Sequence, residues 1–288
     1  MSDEAMDHWV VPAGLDDVPY WLMDGAGNNF VILDLRESGR LTESAAAALG
    51  DRSGPFAADQ IITINGSADH PHMDIWNADG SQAGACGNAS RCVAWLAMRE
   101  TGAPNVTITT PSGDIEAALD GPSQVTVDMG PPKLDWEDIP LAEQMDDTRF
   151  IDIKLGPIDN PVLWGPSAVN MGNPHCVFFV KDLDAHQLDR FGPLVENHPL
   201  FPERANVTIA KVIDRETIEA RTWERGVGLT AACGTAACAT LVSAVRRRLT
   251  ERAATVKLAG GDLRIEWRAD NDHVMMTGPI SLNGQGRF

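Results

Sequence analysis

The 288-residue sequence has few basic side chains, with 23 lysines and arginines against 41 aspartates and glutamates and a formal net charge of -18. This negative excess repels phosphate groups and therefore argues against nucleic acid and anionic lipid as partners. The sequence also lacks a run of eighteen apolar residues, the length that spans a bilayer, and a basic segment followed by an apolar one at the N-terminus. We therefore expect a cytoplasmic protein that binds neither nucleic acid nor membrane.

Cysteine is scarce and never occurs as a Cys-x-x-Cys pair. The count of five is odd, so a disulfide framework is not expected, and no histidine pair lies near the cysteines to suggest zinc. Three of the five, Cys92, Cys176 and Cys238, fall in apolar stretches that are typical of core positions. Cys86 and Cys233 remain as the informative pair, and no metal is expected.

A short phrase around these two cysteines occurs twice. Residues 85–89, Ala-Cys-Gly-Asn-Ala, return as residues 232–236, Ala-Cys-Gly-Thr-Ala. Apolar residues at helical spacing follow each copy: Ala89, Cys92, Val93 and Leu96 after the first, and Cys238, Leu241, Val242 and Val245 after the second. Each copy therefore predicts a mostly buried helix with a cysteine at its N-terminus. The first helix should stop at Gly102 and Pro104.

Other landmarks recur at nearly the same offset. Cys86 and Cys233 are 147 positions apart, and the other pairs lie 145 to 147 apart: Asn28 with Asn173, Gln60 with Asn206, and Asn77 with Glu224. Repeated landmarks at one offset, close to half the chain, indicate an internal duplication.

The remaining pattern predicts mostly strands. Strands are expected at residues 21–23, 30–35, 61–64, 73–76, 106–110, 115–119 and 125–129, and again at 150–154, 168–171, 176–180, 207–213, 217–223, 256–258, 263–267 and 273–276. Additional helices are expected at 42–49, with Thr42 as its cap, and near 185–191, while residues 1–20 should form a loose arm.

The predicted fold class is α+β. It consists of two pseudosymmetric domains, each a curved, mostly antiparallel sheet around a central helix. The Gly130-Pro131-Pro132 break sets the boundary between residues 1–130 plus 276–288, with Cys86, and residues 131–275, with Cys233.

The position of the two cysteines suggests a chemistry. A helix N-terminus gathers unpaired N–H groups, binds anions and lowers the pKa of a thiol. Two thiols that face each other would act as an acid and a base on opposite sides of one carbon atom.

Six motifs in order resemble the diaminopimelate epimerase family: residues 25–28, 77–81, 86–88, 171–177, 224–226 and 232–235. The resemblance covers the chain from about Trp21 to the C-terminus. It implies a cofactor-independent enzyme that interconverts LL- and meso-diaminopimelate for lysine and cell-wall synthesis, with its active site in a cleft between two pseudosymmetric domains. The implied partner is the small-molecule substrate, and a homodimer is an open alternative.

The resemblance also implies residue roles. Cys86 and Cys233 would exchange the α-proton, and His175 and Glu224 would flank the α-carbon and contact the α-ammonium group. Arg225 would pair with the distal carboxylate. The distal amino-acid end would be held by five amide side chains: Asn28, Gln60, Asn77, Asn173 and Asn206. Leu229 departs from the family pattern, which has a glutamate there.

The residues agree with these roles on physical grounds. Backbone N–H groups at the two helix N-termini can hold an α-carboxylate and stabilise the charge of a carbanion without pyridoxal phosphate. The groups in question belong to Gly87, Asn88, Gly234 and Thr235.

Other functions stay open at this point. Proline racemase and the phenazine-type isomerases belong to the same fold class, although the racemase does not need the Glu224-Arg225 pair for a second carboxylate. A cysteine hydrolase needs only one nucleophile and leaves the second cysteine unexplained. A non-catalytic amino-acid binder would have no need for two thiols.

Overall fold

The computed structural model describes residues 9–84, 86–157 and 159–288, in two compact units. Unit 1 is Met1–Val127 together with Gly278–Phe288, and unit 2 is Asp128–Thr277. Ala85, the first residue of the repeated phrase, and residues 1–8 of the predicted arm lie outside the described residues.

Up to residue 128, the described residues form eight strands and two helices. They are β1 (Pro19–Gly25), β2 (Asn28–Asp34), α1 (Glu43–Gly50), β3 (Gln60–Gly66), β4 (Pro71–Asn77), β5 (Gln82–Ala83), α2 (Gly87–Thr101), β6 (Asn105–Thr110), β7 (Gly113–Leu119) and β8 (Gln124–Asp128).

After residue 128, the part of the chain that the structure describes forms eleven strands and two helices. They are β9 (Lys154–Leu155), β10 (Leu163–Trp164), β11 (Ser167–Asn170), β12 (Pro174–Phe179), α3 (Leu188–Glu196), β13 (Asn206–Asp214), β14 (Thr217–Glu224), β15 (Gly228–Thr230), α4 (Gly234–Arg246), β16 (Ala253–Leu258), β17 (Gly261–Trp267), β18 (Val274–Pro279) and β19 (Ser281–Arg287).

The two units repeat one strand order. In unit 1, β1 and β2 are antiparallel, β2 and β3 parallel, β3 and β4 antiparallel, and β4 runs parallel to β6 after the β5 hairpin and α2. In unit 2, β11 and β12, β12 and β13, β13 and β14, and β14 and β16 repeat these relations, with β15 and α4 in the corresponding places. The α+β class and the internal duplication are therefore confirmed.

In each unit the strands contact one buried helix from several sides. The residues from Gly87 to Ala94 in α2 are all buried, and so are those from Ala236 to Ala244 in α4. These buried stretches cover more than two helical turns, so every side of each helix is enclosed there, including the polar residues Asn88, Ser90 and Arg91 of α2. The first helix ends as predicted, because Gly102 adopts the left-handed conformation (φ 73°) and its N–H bonds to the Met98 carbonyl at 2.9 Å.

One strand prediction in unit 2 was wrong, and one helix is confirmed with shifted bounds. Residues 150–153 form no strand, although Ile151 and Ile153 alternate with exposed neighbours and are buried. The Ile151 N–H donates to the carbonyl of Pro166. A proline has no N–H, so Pro166 cannot donate the second hydrogen bond that would make the two segments a strand pair. The helix predicted near 185–191 is α3, which begins at Leu188 and continues past Pro193 to Glu196.

Strand β19 was not predicted. Its sequence, Ser-Leu-Asn-Gly-Gln-Gly-Arg, is polar and glycine-rich, yet it pairs antiparallel with β1, and Tyr20 lies opposite Gly286.

Within the described residues, no helix combines the length and apolar character that a membrane crossing requires.

Candidate active site

In unit 1 the candidate residues meet at one end of the sheet. Asn28 begins β2 and Gln60 begins the parallel strand β3, while Asn77 ends the antiparallel strand β4. Gln60 lies directly opposite Asn77, and its Nε2 donates to Asn77 Oδ1 at 3.1 Å. The pairing of the strands therefore brings together side chains that are far apart in sequence.

The first turn of α2 belongs to the same group. Cys86 is the N-cap of the helix, with extended backbone (φ -151°), and is half-buried. Asn88 is 2% exposed, and its Nδ2 donates to Asn28 Oδ1 at 2.5 Å. This hydrogen bond connects the turn between β1 and β2 to the N-terminus of the cysteine helix.

In unit 2 the corresponding end of the sheet carries titratable groups. His175 in β12 lies opposite Asn206 in the parallel strand β13, and Glu224 ends β14. Cys233 is the N-cap of α4 and only 6% exposed. The duplication therefore places Glu224 where unit 1 has Asn77, and Cys233 where it has Cys86.

His175 is completely buried and neutral. Burial, reinforced by the charge of Arg225, lowers the pKa of its imidazole from 6.5 to about 3. One ring nitrogen, Nε2, lies 2.7 Å from Asn173 Oδ1, and Nδ1 has no hydrogen-bond partner among the described residues. A neutral ring with one unused nitrogen can exchange hydrogen bonds with a bound ligand.

Glu224 and Cys233 interact directly. Burial raises the pKa of the Glu224 carboxyl, and hydrogen bonds with Thr230 and Cys233 partly oppose that effect. Burial and then the negative charge of Glu224 raise the pKa of the Cys233 thiol, while a contact with the Thr235 hydroxyl at 3.5 Å lowers it. The prediction that a helix N-terminus lowers this pKa was therefore wrong for Cys233, because burial and the charge of Glu224 outweigh the hydrogen bonds with the Thr235 hydroxyl and the Ala236 N–H.

Arg225 is held through its backbone and its side chain. Asn206 Oδ1 accepts the Arg225 N–H at 3.0 Å, and Asn206 Nδ2 donates to the Pro174 carbonyl at 3.1 Å. The guanidinium donates through Nη1 to the carbonyl of Glu203 at 2.8 Å. The side-chain amide of Asn206 thus connects the backbone at Arg225 to the backbone at Pro174.

Sequence reasoning missed two residues in this unit. Thr230 in β15 donates its hydroxyl proton to Glu224 Oε1 at 2.5 Å. Glu196 in α3 is 5% exposed and accepts hydrogen bonds from residues on both sides of Glu224-Arg225. A signal for Glu196 was present, since it continues the buried stripe of α3 that Leu188, Gly192 and Val195 define.

A separate cavity in unit 1 contains none of the candidate residues. Its volume is about 500 Å³, and its lining includes Trp21, Arg36, Leu96 and Leu282. The candidate site therefore rests on the clustered strand ends and helix N-termini rather than on this cavity.

Comparison with known proteins decides the family. The family model for diaminopimelate epimerase matches residues 20–134 and 167–283. The diaminopimelate epimerase of Rhodopseudomonas palustris (strain BisB18) is 50% identical over 269 residues, which cover 92% of this chain and 93% of that protein. The enzyme of Brucella anthropi is 50% identical over 272 residues, covering 92% and 90%.

The chain belongs to the diaminopimelate epimerase family. Solved structures with low identity share the family's fold. A PhzF-family phenazine biosynthesis protein from Enterococcus faecalis has a TM-score of 0.67 at 14% identity and covers 94% of this chain and 98% of its own. A hydroxyproline epimerase from Agrobacterium vitis has a TM-score of 0.64 at 14% identity, covering 94% and 90%. The resemblance found in the sequence is therefore confirmed.

Proposed function

We propose that this protein interconverts LL- and meso-diaminopimelate without a cofactor, by proton transfer at the α-carbon, in lysine and cell-wall precursor synthesis. One observation carries the proposal: the two duplicated units each place a cysteine as the N-cap of a buried helix. Family membership names the substrate, and the duplicated thiol supplies the chemistry. A biosynthetic role of this kind belongs in the cytoplasm.

Inversion of an α-carbon needs a base on one face and an acid on the other. In this proposal Cys86 exchanges a proton with one face of the α-carbon, and Cys233 exchanges a proton with the opposite face. The α-carboxylate binds to backbone N–H groups in the first turns of α2 and α4, at Gly87, Asn88, Gly234 and Thr235. These N–H groups and the helix dipoles stabilise the negative charge that develops as the proton leaves.

Unit 2 supplies the groups that tune this chemistry. The Glu224 carboxyl hydrogen-bonds to Cys233 and can exchange a proton with the thiol when substrate binds. The unused Nδ1 of neutral His175 is suited to a hydrogen bond with the α-amino group. His175 is buried and Glu224 is half-buried, so water competes little with these interactions.

The distal end of the substrate carries a second carboxylate and a second ammonium group. Arg225 binds that carboxylate, since a guanidinium can donate two parallel hydrogen bonds to it. The amide side chains at the strand ends hold the distal amino-acid end and the ammonium groups of the substrate; they are those of Asn28, Gln60, Asn77, Asn173 and Asn206.

A substrate comparison tests the proposal. The purified protein should invert one α-carbon of LL-diaminopimelate to give the meso isomer, and the D-configured α-carbon of the meso isomer to give LL-diaminopimelate, while leaving L-proline and a thioester unchanged. Turnover of proline would assign the protein to the racemases of the same fold, and thioester cleavage would assign it to hydrolases. No reaction with any of the three would contradict an enzymatic function of this kind.

A further inference from the structure

The Glu196 carboxylate has an unusual environment for an acidic side chain. It lies in the last turn of α3, is 5% exposed, and accepts hydrogen bonds through both of its oxygens. Oε2 accepts the indole Nε1–H of Trp223 at 2.7 Å, and Oε1 accepts the backbone N–H of Gly226 at 2.9 Å. Arg204, which is half exposed, donates a longer bond to Oε1 at 3.4 Å.

The two short hydrogen bonds are donated by the residues on either side of the dipeptide Glu224-Arg225. Trp223 immediately precedes Glu224, and Gly226 immediately follows Arg225. Gly226 has a left-handed backbone (φ 77°), so the chain turns sharply just after Arg225. One buried carboxylate therefore holds both ends of the segment Glu224-Arg225 while the Asn206 amide holds the N–H between them.

The packing around Trp223 makes this connection rigid. Gly192 of α3 lies so close to the indole that an added Cβ would come within 2.5 Å of the ring. The helix therefore contacts β14 directly, and a shift of Glu196 has to move Trp223 or Gly226.

We propose that Glu196 is a positioning residue that sets the orientation of Glu224 and Arg225 toward the substrate. This inference rests on the proposed function, because it assumes that Arg225 binds the distal carboxylate. Glu196 itself does not touch the substrate. Its carboxylate fixes the turn that presents the guanidinium, so its effect on catalysis passes through Arg225.

The test is a double-mutant cycle of Glu196→Gln and Arg225→Lys. The amide of Glu196→Gln has one acceptor oxygen, so it can satisfy only one of the two N–H donors. We expect kcat/KM for diaminopimelate to fall roughly tenfold, mainly through KM, the size of a lost hydrogen bond to a charged group. In the Arg225→Lys background the same change should cost less than about threefold, because residues that act through one another are not additive.

The matched control is Glu251→Gln, which removes an exposed carboxylate that pairs with Arg215, and it should keep wild-type kinetics. An equal loss from Glu196→Gln in both backgrounds, or no loss, would overturn the inference. If Arg225→Lys alone leaves KM unchanged, the proposed role of Arg225 fails, and the inference fails with it. Should Glu196→Gln not fold, Trp223→Phe removes the indole N–H donor together with part of the ring that packs on the core. The same cycle of Trp223→Phe with Arg225→Lys should then show the same non-additive loss of kcat/KM, and an additive loss would overturn the inference.

Discussion

At the scale of single residues, the neutral state of His175 has a consequence for stability. Its imidazole has a pKa of about 3 in the native protein, against 6.5 for an unperturbed histidine. Between these values the unfolded chain binds a proton that the native state does not. Native stability therefore falls as the pH is lowered through this window, by up to about 1.4 kcal/mol per pH unit for one proton.

The change that tests this effect is His175→Gln, which cannot titrate. Between pH 6 and 4 the free energy of unfolding, measured with urea, should decrease less steeply in the variant than in the wild type. The variant His72→Gln, which removes an exposed histidine, controls for the loss of any imidazole. If the free energy of unfolding depends on pH with the same slope in the wild type and in His175→Gln, His175 is not held in its neutral form by burial.

Arg225 allows a second prediction at this scale. Arg225→Lys keeps the positive charge but loses the planar pair of donors. We expect transition-state binding of diaminopimelate to weaken by roughly 1–3 kcal/mol, the range for a hydrogen bond between charged groups. The control is Arg221→Lys in β14, the strand that ends just before Arg225, where the guanidinium pairs with Asp184 and is 44% exposed. Equal kcat/KM in the Arg225 variant and the wild type would remove Arg225 from the site.

At the scale of secondary-structure elements, the contact between β1 and α2 supports the site in unit 1. An added Cβ at Gly25 would come within 2.9 Å of the Asn88 carbonyl oxygen in the first turn of α2. Gly25→Ala should therefore destabilise the protein by about 1–3 kcal/mol, the usual cost of overpacking.

Gly39→Ala is the matched control, because no atom lies within 4 Å of the added Cβ. That variant should change the free energy of unfolding by less than roughly 0.5 kcal/mol. Urea unfolding of both variants provides the measurement. A Gly25→Ala variant as stable as the control would show that the helix shifts freely at this contact.

The elements differ in how much of them the sequence could predict. Helices α1, α2 and α4 have local signals, such as the Thr42 cap, whose hydroxyl accepts the Ala45 N–H at 3.2 Å. Strand β19 has no such signal, because its ladder with β1 joins residues more than 250 positions apart. No local pattern in a single sequence indicates which distant strand β19 pairs with.

The site shows the same limit. The duplication predicted that Gln60 and Asn206, and Asn77 and Glu224, occupy equivalent places, and strand order confirms that equivalence. The hydrogen bonds of Glu224 with Thr230 and of Glu196 with Trp223 depend on hairpin and helix packing. Burial at Cys233 likewise reverses a pKa direction that the helix N-terminus alone would predict.

At the scale of the whole molecule, the duplication explains why the chain has two informative cysteines. Each unit repeats the same strand order and carries one thiol at the start of its buried helix. One such unit provides a single proton donor or acceptor, and inversion requires two. The central claim is therefore that both thiols act in one reaction, each on one face of the α-carbon.

The most direct test compares Cys86→Ala and Cys233→Ala on LL- and meso-diaminopimelate in heavy water. Each variant should lose epimerisation, while the remaining thiol can still exchange the α-proton on its own side. The two variants should then favour deuterium exchange in opposite stereoisomers, read by NMR at the α-position. Cys92→Ala, which changes a buried cysteine in α2, should still epimerise. Epimerisation near the wild-type rate by either Cys86→Ala or Cys233→Ala would contradict the two-thiol mechanism.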